Sequence, residues 1–195
     1  MNCILSTTYF GPIQWYQKLN RFDCLIDDNE HFVKQTYRNR CVIATTQGTQ
    51  ALTVPTQKDE ERSSFIKDIR ISDHGNWRHI HWNALKSAYG ESPFFEYYAD
   101  DIFPFFDKKW KYLWDFNWEI MEKMCGLLQI ERKMKVHLSY PMDYRQAIQP
   151  KHPQPDPYFT PKPYYQVYQN KHGFIPNLSI LDLLFNMVNE AILFL

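Results

Sequence analysis

Glycine is scarce, six in 195 residues, and none lies in a run that could cradle a phosphate. Neither GxxxxGKS/T nor GxGxxG occurs, so a P-loop ATPase and a dinucleotide fingerprint both lack their motif. There is no GxSxG elbow, no HExxH and no CxxC pair, which leaves serine hydrolysis and zinc catalysis without support. The four cysteines, Cys3, Cys24, Cys41 and Cys125, are widely spread. The opening residues Met1 to Ser6 carry no basic region and no long apolar stretch, so no secretory signal is expected. Free thiols in a reducing cytoplasm are therefore the expectation. Neither sign of charge is in excess, with 22 Lys and Arg against 22 Asp and Glu. Zero net charge argues against a nucleic-acid partner or an anionic membrane surface, which call for a basic excess. The apolar stretch from Ile180 to Leu195 is too short to span a bilayer, and Asp182, Asn186, Asn189 and Glu190 interrupt it.

Aromatic residues are abundant at 17%, and hydrophobic residues reach 44%. That much apolar surface offsets the entropy of ordering a chain, so disorder is not expected. The length suits a single domain over residues 1–195. Residues 2–7 read as a short buried strand, and Gly11-Pro12 turns the chain. Trp15, Tyr16 and Leu19 follow at helical spacing, and Phe22 to Ile26 reads as a second strand. Cys41 to Thr45 and Gln50 to Val54 flank Thr46-Gln47-Gly48-Thr49, a hairpin signal. A further strand is expected at Phe65 to Ile71, after a polar loop at Thr56 to Ser64.

From Asp73 the period changes to that of a helix through Trp77, Ile80, His81, Ala84, Leu85 and Ala88, with Asp73 or Asn76 as N-cap. Ser92-Pro93 predicts the start of a second helix, and a third is expected from Lys109 to Leu128. Val136 to Ser139 is a candidate last strand. Tyr140 to Pro163 reads as a proline-rich loop without regular structure. Ser179 and Asp182 have the spacing of a capping box for a final helix. The expected class is α/β: a parallel or mixed sheet begun by an N-terminal βαβ unit, with a β-hairpin and a helical C-terminal half. In such a sheet a site lies beyond the strand carboxyl ends, here near Ser6–Gly11 and Asp27–His31.

The densest polar cluster runs from Asp27 through Glu30 and His31 to Lys34, Arg38, Asn39 and Arg40. Two guanidiniums and an ammonium so close together can grip a phosphate or carboxylate, and Glu30 and His31 suit general-base work. The plainer reading of the same run is a solvated face whose charges pair with nearby acids. On the first reading, Arg38→Ala weakens anion binding and leaves folding nearly intact. His81 falls on the apolar face of its helix, as a core histidine or as one lining a pocket at the sheet edge. Cys41 beside Arg38 and Arg40 reads as a nucleophile or, more plainly, as a small core residue. An exposed patch among the many Trp and Phe residues would suit a homodimer interface.

Several segments resemble the WbqC-like family: Thr8-Tyr9-Phe10-Gly11-Pro12 with Trp15-Tyr16, and His31-Phe32-Val33-Lys34-Gln35-Thr36-Tyr37-Arg38-Asn39-Arg40. The likeness continues through Leu52 to Pro55, Trp77-Arg78, His81-Trp82, Tyr89, Ser92 to Phe95 and Asn177 to Leu184. Ser6-Thr7 stands where Gln-Pro is common in that family, so no glutamine role carries over. The resemblance implies bacterial surface-polysaccharide (O-antigen) biosynthesis, with transfer of glycine or another activated acyl group to an amino sugar. The implied partner is a nucleotide-activated sugar or a similar phosphorylated small molecule. On that view Lys34, Arg38 and Arg40 bind its diphosphate, and His31 or Glu30 accepts the amine proton. Asn39 assists the oxyanion, and Tyr9 and His81 line the substrate. No cofactor and no metal site is specified. A non-catalytic binding module, or a nucleotide-dependent ligase or nucleotidyltransferase, are the competing readings.

Overall fold

The structure, a computed structural model, describes residues 1–57, 64–135, 137, 139 and 141–195. Strand β1 (Asn2–Leu5), helix α1 (Ile13–Arg21) and strand β2 (Asp23–Ile26) form the βαβ start. Both strands alternate half-buried and buried residues, and their register sets Cys3 beside Cys24 and Leu5 beside Ile26. Buried side chains thus share one face, as a period of two requires. The Cys3 and Cys24 sulfurs stand 3.0 Å apart as buried free thiols.

The hairpin is β3 (Arg40–Thr45) and β4 (Gly48–Thr53), and Gly48 closes its turn with a φ of 111°. The outer edge of β3 is partly occupied: Val42 accepts from the Ser179 amide and Ala44 donates to the Tyr89 hydroxyl. After β4 come α2 (Trp77–Tyr89), α3 (Phe95–Ile102), α4 (Pro104–Asp107) and α5 (Leu113–Leu127). Two short strands follow, β5 (Lys133–Met134) and β6 (Met142–Asp143), then α6 (Gln169–His172) and α7 (Ile180–Met187). All four strands of the main sheet are parallel, in the order β5-β2-β1-β6. The structure is thus α/β with a helical C-terminal half, as expected. Among the described residues no helix is long and apolar enough to cross a membrane.

One apolar core runs from Cys3 to Leu195. Its centre is aromatic: Tyr9 stacks on Phe116 at 5.7 Å, and Phe10 meets Phe105 edge-on at 5.8 Å. Helix α1 is buried from Ile13 to Leu19, polar residues included. The proline-rich segment covers its polar side. The Lys18 ammonium lies 2.7 Å from Asp156, Gln14 donates to the same carboxylate at 2.8 Å, and Gln17 donates to the Tyr158 carbonyl at 3.0 Å.

Some local expectations fail, each for a physical reason. Phe65 to Ile71 is no strand. Ile66–Asp68 form a 3-10 turn, and single bridges tie Phe65, Arg70 and Ile71 to three separate segments. The buried residues there are Ile66 and Ile71, a spacing that alternation cannot supply. Tyr140 to Pro163 contains β6, because β1 offers it a parallel edge that a proline count does not reveal. The strand expected at Val136 to Ser139 falls partly outside the described residues, as does the loop at Thr56 to Ser64.

Helix boundaries shift as well. Neither Asp73 nor Asn76 caps α2 by its side chain; Asp73 pairs with Arg78 at 2.7 Å instead. Helix α3 starts at Phe95, two residues after Pro93, and α5 starts at Leu113, not Lys109. Ser179 does cap α7, accepting from the Leu181 amide at 3.3 Å. Asp182 turns away from that cap. It is fully buried and accepts from the Tyr164 hydroxyl at 2.6 Å and from Gln166 at 3.1 Å.

Candidate functional site

β1 is central, with β2 on one side and β6 on the other. The chain runs from β1 outward through β2 to β5 and then crosses back to set β6 on the other side of β1, so the strand order reverses at the gap between β1 and β6, a topological switch point. Ligands of open parallel sheets bind beyond the carboxyl ends of the strands at such a point. A crevice is found there, lined by Ser6 and Thr8 after β1, Trp15 of α1, Tyr37 and Arg38 of the following loop, and Tyr144 and Arg145 after β6. Its volume is about 10 Å³, room for about one water. The Trp15 indole fixes the first wall by donating to the Ser6 carbonyl at 2.8 Å. Gly11 is required where the same loop folds back, since a Cβ there would meet the Thr8 hydroxyl at 2.4 Å. The Thr8 hydroxyl is buried and has no hydrogen-bond partner among the described residues.

Two guanidiniums face this crevice from distant parts of the chain. Arg38 is clamped by Glu30: its Nε donates to Oε1 at 2.9 Å and its Nη2 to Oε2 at 2.5 Å. Ser6 also donates to Glu30, at 2.9 Å, so three donors hold that carboxylate. Arg145 reaches across from β6 to Asp27 and to Asp143, the latter at 2.7 Å. These pairings hold the Asp143 carboxyl below the usual carboxylate range and push Arg145 up. Two cations thus meet three carboxylates, and the crevice wall carries one net negative charge. The bidentate pairs rigidify the carboxyl end of the sheet.

The sequence-predicted residues separate into three groups. Glu30 and Arg38 come together as a buried pair. Asn39 stands beside them structurally, donating to the Val54 carbonyl at 3.0 Å and so tying the loop to the hairpin. Lys34 and Arg40 form the second group. Lys34 is exposed, and Arg40 is half-buried with its Nε on the Thr53 hydroxyl at 2.9 Å. Neither has a carboxylate partner among the described residues. His31 is also exposed, its Nδ1 2.6 Å from the Ser64 hydroxyl and its ring stacked on Phe65.

Tyr9 and His81 form the third group, inside the aromatic core. The Tyr9 hydroxyl lies 2.8 Å from His81 Nδ1. Burial pushes His81 down to about 4 and raises Tyr9 well above its ordinary value. Both groups are therefore neutral at pH 7, with Tyr9 donating to the ring. Cys41 is likewise buried, its thiol pushed up to about 12, so it is a core residue and not an activated nucleophile. Among the described residues no three His, Cys, Asp or Glu side chains gather closely enough to hold a metal ion.

Arg145, Asp143 and Thr8 were not among the residues the sequence reading singled out. Arg145 belongs to a segment read as irregular, and a two-residue strand has no period to detect. Asp143-x-Arg145 is the one local trace of the pairing.

The chain is 27% identical to the uncharacterized protein Rv1507c of Mycobacterium tuberculosis, over 96% of its own length and 94% of the relative's. No solved structure matches it. The family model for the WbqC-like protein family matches residues 7–150, which takes in the switch-point loops, the hairpin, α2 to α5 and Arg145. The chain belongs to the WbqC-like protein family.

Proposed function

We propose that the chain is a cytoplasmic transferase of surface-polysaccharide (O-antigen) assembly, moving glycine or another activated acyl group onto the amino group of a nucleotide-linked amino sugar. The observation that carries this reading is the pair of cations Lys34 and Arg40, without a carboxylate partner among the described residues, on the same short segment as exposed His31. Lys34 and Arg40 take the diphosphate. Arg38 is already neutralised by Glu30, so these two residues position the segment and do not bind substrate directly. Nδ1 of His31 is held by Ser64, which leaves Nε2 to accept the proton released as the amine nitrogen bonds the acyl carbon. The bond from acyl carbon to its carrier breaks in the same exchange, and the carrier departs with the electron pair.

A non-catalytic binding module is favoured by one observation, the narrowness of the crevice at about 10 Å³. Incubation with nucleotide-linked amino sugars and activated acyl donors, read by mass spectrometry, separates the two. The transferase predicts an acylated sugar, with the rate in His31→Asn reduced ~100-fold or more at unchanged melting temperature. Thermal stabilisation by nucleotide sugars without any product supports the module. Absence of both stabilisation and product overturns the nucleotide-sugar reading.

A further inference from the structure

A second recess opens at the carboxyl end of β2. Asp27 turns toward Arg145 and the switch-point crevice, whereas its neighbour Asp28 turns to this recess. The cavity measures about 280 Å³, close to the lower size of small-ligand sites. Leu25, Ile26 and Met134 floor it, and Trp114 and Trp118, one helical turn apart on α5, wall it. Asp28 and Lys135 stand at its rim.

The wall has a specific geometry. The two indoles stack with centroids 5.8 Å apart and planes 28° off parallel, which holds the outer ring, Trp118, in a fixed orientation against the recess. Both are only half-buried, whereas Trp15 and Trp77 are sealed in the core. Lys67 pairs with Asp28 and holds its ammonium 5.8 Å over the Trp114 ring. Trp118 is then the platform for a guest. Lys135 is exposed at the opposite rim, without a carboxylate partner among the described residues. A flat aromatic guest gains stacking on the indoles, its anionic group gains two ammoniums, and an N–H on its edge finds the Asp28 carboxylate.

We infer that this recess binds the base of a nucleoside phosphate, stacked on Trp118 with the phosphate toward Lys135 and Lys67. The inference rests on the proposed reading and deepens it: the recess holds the base and the nucleoside-side phosphate, while Lys34 and Arg40 take the sugar-side phosphate of the same diphosphate and His31 serves the amine.

The test titrates the full chain with uridine and adenosine monophosphates while following tryptophan emission, with ribose 5-phosphate and inorganic phosphate as base-free controls. Saturable quenching by the nucleotides and none by the controls is expected. Trp118→Ala weakens nucleotide binding about tenfold or more, and Trp118→Phe restores most of it. Lys135→Glu, at an exposed position, weakens the monophosphate but not the free nucleoside. Equal affinity in wild type and Trp118→Ala, ribose 5-phosphate binding as tightly as nucleotide, or no saturable quenching at millimolar nucleotide each overturns the inference. Quenching that depends only on protein concentration shows that a second copy fills the recess and also overturns it. Acyl transfer with an unchanged KM in Trp118→Ala removes the recess and leaves the transferase standing. Nucleotide binding lost in Trp118→Ala, with no transfer by wild type, removes the transferase and leaves the recess.

Discussion

Arg38→Ala strands a buried carboxylate by removing its ion-pair partner. Glu30 and Arg38 have side chains only 4% and 7% exposed, and the pair shares two hydrogen bonds. Removing the guanidinium leaves Glu30 buried with Ser6 Oγ as its remaining donor. Breaking a buried pair from one side costs about 3–5 kcal/mol, because the abandoned charge keeps its desolvation penalty. In a chain of this length 1 kcal/mol moves the melting temperature by about 2–4 °C, so a fall of about 6–20 °C is expected. The double variant Glu30→Gln/Arg38→Met removes both charges and recovers more than half of the loss. Thermal and urea melts followed by circular dichroism compare wild type, Arg38→Ala and the double variant. A single variant melting within 2 °C of wild type, or a double variant no better than the single, refutes the argument. The sequence-based expectation that Arg38→Ala leaves folding intact treated the residue as solvated; its burial reverses the sign of that expectation.

Two further predictions follow from buried ionisable groups. His81 has its folded value lowered to about 4 from 6.5, so its contribution is complete above pH 6.5 and is lost as pH falls toward 4, about 3 kcal/mol in all. Asp182 is raised from 3.8 to about 6 by burial, so its contribution is present below pH 3.8 and is lost as pH rises through 6. Relative to wild type, His81→Gln should gain stability as pH falls from 6.5 to 4, and Asp182→Asn should gain it as pH rises from 4 to 6. Urea midpoints at pH 4, 5, 6 and 7 check both; parallel curves would show that neither group titrates as described. Lys18→Met should expose the proline-rich segment to protease, because buried Lys18 holds Asp156 against α1. An unchanged cleavage pattern between residues 150 and 160 would place the anchor elsewhere.

The sequence by itself determined the local, periodic parts of this protein. The short strand runs in residues 2–7 and 22–26, the turn chemistry at Gly48 and the helical stripe from Trp77 to Ala88 act over a few residues, and each is visible without the fold. The same locality put the site near Ser6–Gly11 and Asp27–His31, because parallel strands bring their carboxyl ends together whatever their order. Only the tertiary structure decided that β6 lies beside β1, since a two-residue strand is stabilised by its neighbour's edge and not by its own pattern. That pairing carries Arg145 to Asp27 and creates the switch-point crevice. Tertiary packing also decided which charges are free. Lys34, Arg38 and Arg40 look alike in the chain, but a carboxylate buried beside Arg38 neutralises it, whereas Lys34 and Arg40 have no carboxylate partner among the described residues.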